Sequence, residues 1–135
     1  MSAYAALLAE LYRLEPRGIR LGLDRMERAL EALGQPQRQL RFAHITGSNG
    51  KGSVAAMVES CARAAGLRTG LYTSPHLDRF TERIRIAGHP VSRAMLVAEY
   101  RALCEALGPL EALELSFFEV ATLLAFACFR RAGCE

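Results

Sequence analysis

The sequence predicts an α/β fold: a phosphate-loop type of mostly parallel sheet with flanking helices. Three observations predict it. Phe42-Ala43-His44-Ile45 is a short, mostly apolar run that reads as a buried strand. It leads straight into a glycine-rich loop, Gly47 to Ser53. Val54, Met57, Val58, Cys61 and Ala65 then recur on one helical face up to Gly66, and Thr69 to Tyr72 reads as a second strand. Strand, glycine loop, helix and strand make a βαβ unit, which implies parallel strands and a right-handed crossover.

The other elements follow from periodicity and punctuation. Tyr4, Leu7, Leu8 and Leu11 place a first helix over about 3–14, ended by Glu15-Pro16-Arg17-Gly18. Leu23, Met26, Leu30 and Leu33 mark a second, with Asp24 where a cap or first-turn acid belongs and Gly34 at its end. Residues 73–82 form a polar loop, and Arg83-Ile84-Arg85-Ile86 alternates as a half-exposed strand does. Gly88-His89-Pro90 reads as a turn. Ser92 caps a helix lined by Leu96, Tyr100, Leu103 and Leu107 and stopped by Gly108-Pro109. Ser116 caps the helix from Phe117 to Arg131, which is apolar nearly all round and so predicted to be buried on several sides.

Bulk properties set the bounds. At 135 residues the chain fits one domain, and 51% hydrophobic with 23% charged residues is a globular composition, not a disordered one. A net charge of +3 tolerates anionic ligands without identifying nucleic acid as a partner. The four cysteines (Cys61, Cys104, Cys128, Cys134) form no CxxC pair and read as small hydrophobes in a reducing compartment. The start lacks the pattern of a signal peptide, and the longest apolar stretch, Phe117 to Phe129, falls short of the roughly 20 residues of a membrane span. The expected location is the cytoplasm.

Gly47, Ser48, Asn49, Gly50, Lys51, Gly52 and Ser53 are the candidate phosphate-binding residues. Glycines let backbone N–H groups turn inward and approach phosphate oxygens without a Cβ clash. A helix N-terminus adds unpaired N–H groups and partial positive charge. Lys51 would reach the β- and γ-phosphates as a point charge, and the Ser53 hydroxyl would ligate Mg2+. The loop departs from the common GxxxxGK[ST] spelling, since Ile45 stands where that pattern has glycine and Gly52 where it has serine or threonine. A glycine-rich turn with an exposed lysine is the alternative; the strand before and the helix after favour the phosphate loop.

Thr46 to Ser53 resembles the GTNGKGS loop of the folylpolyglutamate synthase branch of the Mur ligase family, with Ser48 in place of the more usual threonine. Gly18-Ile19-Arg20-Leu21-Gly22-Leu23-Asp24-Arg25 resembles that family's G-x-x-x-G-L-x-R stretch. Residues 70–86, with Thr73-Ser74-Pro75-His76-Leu77 and Phe80-Thr81-Glu82-Arg83-Ile84, resemble its TSPHL loop and F-x-E-R-I strand, and Ser116-Phe117-Phe118-Glu119 its T-F-F-E helix start. All four occur in family order. The resemblance implies the incomplete amino-terminal part of a Mur-type ATP-binding domain over residues 1–135, with the carboxy-terminal domain outside the chain. It implies ATP-dependent addition of L-glutamate to dihydropteroate or folate through an acyl phosphate, with ATP and Mg2+ as cofactors. The implied partners are small molecules, with no nucleic acid and no membrane, and the full-length form is a monomer.

By the same resemblance Lys51 is the catalytic residue, Ser53 and Ser74 are metal ligands, and His76, Arg83, Phe118 and Glu119 are candidate folate contacts. Each has a plainer reading: Ser74 as a turn serine, His76 as a structural hydrogen bond, Arg83 as a solvated strand-face residue. One of Phe117 and Phe118 could be ordinary core, and Glu119 a first-turn dipole partner. The family's metal-binding glutamate strand lies beyond residue 135, so this length of chain is not expected to complete the reaction alone. A non-catalytic nucleotide-binding module and another Mur-type amino-acid ligase are the competing readings. A switch-type or motor NTPase fits neither the spacing around Lys51 nor the Ser74-Pro75-His76 loop.

Overall fold

The computed structural model describes residues 1–110 and 112–135. Helices are placed where the periodicity puts them, and their ends have chemical causes. α1 (Ala3–Tyr12) begins at Ser2, whose hydroxyl accepts the Ala5 N–H at 3.1 Å. α2 (Asp24–Ala32) carries Asp24 and Glu27 in its first turn, favourable against the helix dipole, and ends before Gly34. α3 (Lys51–Ala64) starts from Gly50, with φ 72°. α4 (Arg93–Leu107) is capped by Ser92, which accepts the Met95 N–H at 3.1 Å. α5 (Phe117–Arg131) opens with a reciprocal capping box between Ser116 and Glu119.

α5 is the centre of the molecule. Val120, Ala121, Leu123, Leu124, Ala125 and Cys128 are fully covered, because α1, α4 and the sheet all pack on it. Leu11, Leu96, Leu103, Phe80 and Ile84 close the core around it. The prediction of a helix buried on several sides is met.

The sheet differs from the expectation. β1 (Gly70–Tyr72), β2 (Ile84–Ile86) and β3 (His89–Pro90) form an antiparallel ladder in the order β1-β2-β3, with Leu71 opposite Arg85 and Ile86 opposite His89. Ala87 and Gly88, with φ 49° and 82°, make the two-residue turn between β2 and β3, where both central residues need positive φ. The region read as a bare turn at 88–90 is therefore the end of a hairpin. Phe42 to Ile45, expected as a buried strand, is no strand here and Phe42 is 57% exposed. A strand exists by laddering, and the backbone bond beside this segment runs from the Arg41 N–H to the Glu135 carbonyl at 2.9 Å. Phe42 itself packs edge-on against Phe126, with ring centroids 5.6 Å apart. α3 likewise has no buried residue, so Val54, Met57 and Val58 present an open apolar face.

Two contacts fix how the helices meet the sheet. Glu59 of α3 accepts from the Thr69 hydroxyl at 2.6 Å and from Arg63 Nε at 3.0 Å, tying α3 to the start of β1. Those donors hold its carboxyl below the usual carboxylate range. At Gly70, the ring of Phe129 lies where a side chain would be: an added Cβ would stand 2.5 Å from it. Gly70→Ala is expected to destabilise the chain by about 2 kcal/mol through overpacking, measured by chemical denaturation. An unchanged midpoint would show that Phe129 steps aside freely.

Candidate functional site

The glycine loop emerges as an exposed turn ending at the N-terminus of α3. Gly47 and Gly50, at φ 149° and 72°, occupy backbone regions that side chains disfavour. No side chain caps α3, so its first-turn N–H groups face outward without a side-chain acceptor, the arrangement a phosphate fills. Lys51 folds back, and its Nζ donates to the Gly47 carbonyl at 2.6 Å. The lysine is thus held over the loop that its own helix opens. Ser48, Asn49, Gly52 and Ser53 are exposed around it.

A second cluster forms where β1 ends and α5 begins. The loop from Ser74 to Arg79 is gathered by Glu82, whose carboxylate accepts the N–H groups of Leu77, Asp78 and Arg79 at 3.1, 3.1 and 2.6 Å. Those donors, Arg79 foremost, hold its carboxyl below the ordinary range. His76 leaves this loop half-buried. Its Nδ1 accepts from Arg83 Nε at 2.7 Å, its Nε2 lies 3.3 Å from the Tyr12 hydroxyl, and its ring meets Phe80 edge-on. Tyr12 in turn stacks on Phe117, centroids 5.6 Å apart.

Arg83 is the departure from the sequence reading. It sits in a 3-10 turn, Phe80–Arg83, ahead of β2, and is buried instead of solvated. Its guanidinium lies 5.0 Å from the Phe117 ring centre and 5.9 Å from that of Phe80. Phe118 points outward, 55% exposed, and packs on Tyr72 at 6.2 Å. Burial pushes the Tyr72 hydroxyl pKa up, although Thr122 and Arg83 bond to it. Glu119 is buried and fully engaged: it accepts the Ser116 N–H at 2.8 Å and pairs with Arg25 at 3.1 Å. Burial alone would raise its pKa, but the Ser116 and Arg25 contacts outweigh it, so the carboxyl sits below its usual range.

Arg25 is one of three arginines that fasten the 17–25 segment to the start of α5. Arg17 donates to the Leu115 carbonyl at 2.9 Å and Arg20 to the Glu114 carbonyl at 3.1 Å. The same segment leaves Ile19 and Leu21 96% and 90% exposed.

No family model matches the chain. Curated relatives do. The chain is 43% identical over 127 residues to the dihydrofolate synthase/folylpolyglutamate synthase of Mycobacterium tuberculosis, a match that covers 84% of this chain and 25% of that protein. The solved folylpolyglutamate synthase of Thermotoga maritima superposes on it with a TM-score of 0.90 at 38% identity, over 98% of this chain and 31% of that one. The chain belongs, over the part it spans, to the folylpolyglutamate synthase/dihydrofolate synthase family. The folylpolyglutamate synthase of M. tuberculosis solved in complex with ADP superposes at a TM-score of 0.88 and 37% identity, covering 98% of this chain and 30% of its own. The chain spans about a quarter to a third of the length of these relatives.

Within this synthase-family chain, the structure brings His76 and Arg83 into direct contact and sets Phe118 and Glu119 on adjacent positions of α5. The glycine loop stands at the head of α3, and Ser74 is exposed at the start of the 74–79 loop. Sequence reasoning missed Tyr12, Arg25 and Glu82 as the groups that hold this cluster. The Glu82 role carried a signal, an acid three residues after Arg79 at the head of a turn. Glu82→Gln is expected to speed amide exchange at Leu77, Asp78 and Arg79 by about tenfold, since bonds to a charged acceptor are the stronger class. Unchanged exchange would show that the loop is held by other contacts.

Proposed function

We propose that this chain is the nucleotide-binding part of an ATP-dependent ligase that joins L-glutamate to dihydropteroate or to folate. The observation that carries the reading is the loop from Gly47 to Ser53, with free N–H groups at the head of α3 and Lys51 poised across it. The names of the relatives, and the ADP bound to one of them, point the same way.

The chemistry suits this geometry. Moving a γ-phosphoryl group to a carboxylate is mainly a matter of positioning and of neutralising spread negative charge. Backbone N–H groups of the loop would cradle the phosphates without reorganising, and Lys51 would leave the Gly47 carbonyl for a phosphate oxygen. The acyl phosphate so formed is open to attack by the amino group of glutamate, with phosphate leaving. Mg2+ fits the donors present: Ser53 and Ser74 offer exposed hydroxyl oxygens, which take no hydrogen bond among the described residues and are hard ligands of the type this ion prefers. Bound there, it would neutralise charge on the phosphates. His76 and Phe118, with Arg83 behind the histidine, form the candidate folate wall. Glu119, tied to Arg25 and Ser116, anchors that wall.

The finer architecture belongs to the same proposal. The Glu135 N–H donates to the Arg68 carbonyl at 3.0 Å while the Glu135 carbonyl accepts from Arg41. Glu135 thus lies between the segment that enters the glycine loop and the one that enters β1. This placement supports a mostly parallel phosphate-loop sheet in the whole protein, with residues 1–135 as part of its ATP-binding domain.

Calorimetry with Mg2+-ATP tests the reading. Binding by this chain that weakens at least tenfold in Lys51→Ala, as loss of a charge-assisted contact implies, is the expected result. Binding unaffected by the substitution would place the nucleotide elsewhere and overturn it.

A further inference from the structure

Arg83 is a buried cation that meets no carboxylate among the described residues. Such a group is costly unless its charge is put to use. Its neighbours are two aromatic faces, the Tyr72 hydroxyl and one nitrogen of His76. The last contact has a consequence for the histidine. An arginine Nε always carries hydrogen and never accepts, so His76 Nδ1 supplies the lone pair of the 2.7 Å bond. The hydrogen of the neutral ring then resides on Nε2. That nitrogen faces away from the core, toward the Tyr12 hydroxyl at 3.3 Å, and Tyr12 is itself 37% exposed.

We propose that Arg83 is a positioning residue that locks His76 in its Nε2–H tautomer, making His76 an outward hydrogen-bond donor, and that Tyr12 holds the place of a substrate oxygen. The inference rests on the ligase reading for the identity of that substrate, a carboxylate-bearing folate. It gives His76 a narrower role than the sequence does. With Nδ1 occupied by Arg83 and Nε2 bearing hydrogen, the ring offers no free lone pair with which to ligate a metal. It can donate to a carboxylate or acyl-phosphate oxygen.

The rest of the cluster serves this orientation. Glu82 pins the backbone on the C-terminal side of His76 through three N–H groups. Phe80 sets the ring plane edge-on, and Phe117 supports both Arg83 and Tyr12. A histidine needed only as filler would not require a buried arginine on one nitrogen and a hydroxyl on the other.

Nitrogen-15 NMR of the imidazoles in the full 135-residue chain tests the proposal, with His76 assigned by the signals lost in His76→Gln. The expected pattern is a pyridine-type Nδ1 and a pyrrole-type Nε2 in a single tautomer. In Arg83→Met the two nitrogens should move toward averaged positions. Averaged signals in the unsubstituted chain, or hydrogen on Nδ1, would overturn the proposal. Tyr12→Phe, which leaves the core intact, should keep the tautomer; a switch to Nδ1–H there would overturn the role given to Arg83. Folate added with Mg2+-ATP should shift Nε2 and leave Nδ1 in place. No shift would overturn the substrate contact alone, and since Lys51→Ala tests nucleotide binding separately, the two failures are distinguishable.

Discussion

The carboxylate of Glu119 holds together the part of the molecule that matters. It stands buried in the first turn of a helix that carries no other charge until Arg130, and does so because three needs meet there. The helix start has unpaired N–H groups, the Ser116 N–H wants an acceptor, and Arg25 wants an anion. Removing the acid would leave a largely buried guanidinium without its carboxylate, with only the Arg20 carbonyl still to meet it, a loss of about 3–5 kcal/mol in comparable buried pairs. From this point α5 is fixed against the 17–25 segment, and α5 is the surface on which α1, α4 and the sheet assemble.

Two features of different stiffness follow. The cluster at the head of α5 is over-determined: Tyr12, His76, Phe80, Arg83 and Phe117 each touch at least one other member through a ring face or a hydrogen bond. The glycine loop is the opposite. It is exposed, held by the Lys51 to Gly47 bond, and backed by a helix with an open apolar face. Under the proposed ligase reading, the stiff cluster would hold an acceptor while the adaptable glycine loop follows a moving phosphoryl group.

Legibility in the sequence tracked the range of the forces involved. Ser92 and Ser116 caps, the all-round apolar α5 and the glycine loop are local, and their residues announced them. Sheet pairing is not local, so an apolar stretch at 42–45 was legible as extended chain but not as unpaired. Arg83 shows how a period can mislead. The alternation Arg83-Ile84-Arg85-Ile86 puts both arginines on one face of a strand, but Arg83 belongs to the 3-10 turn before β2 and so falls out of phase into the core. β3 is two residues ending in Pro90, too short to leave a pattern. For Glu119 the need for a partner was legible; Arg25, 94 positions away, was not. The family motifs marked out the glycine loop and the His76 loop but said nothing of the contacts that orient them.

A crystal structure of the chain with Mg2+-ADP tests the central claim most directly. The account predicts a β-phosphate seated on the N–H groups of residues 47–53, with Lys51 Nζ released from the Gly47 carbonyl to meet it. A nucleotide bound elsewhere, with Lys51 still on Gly47, would contradict it.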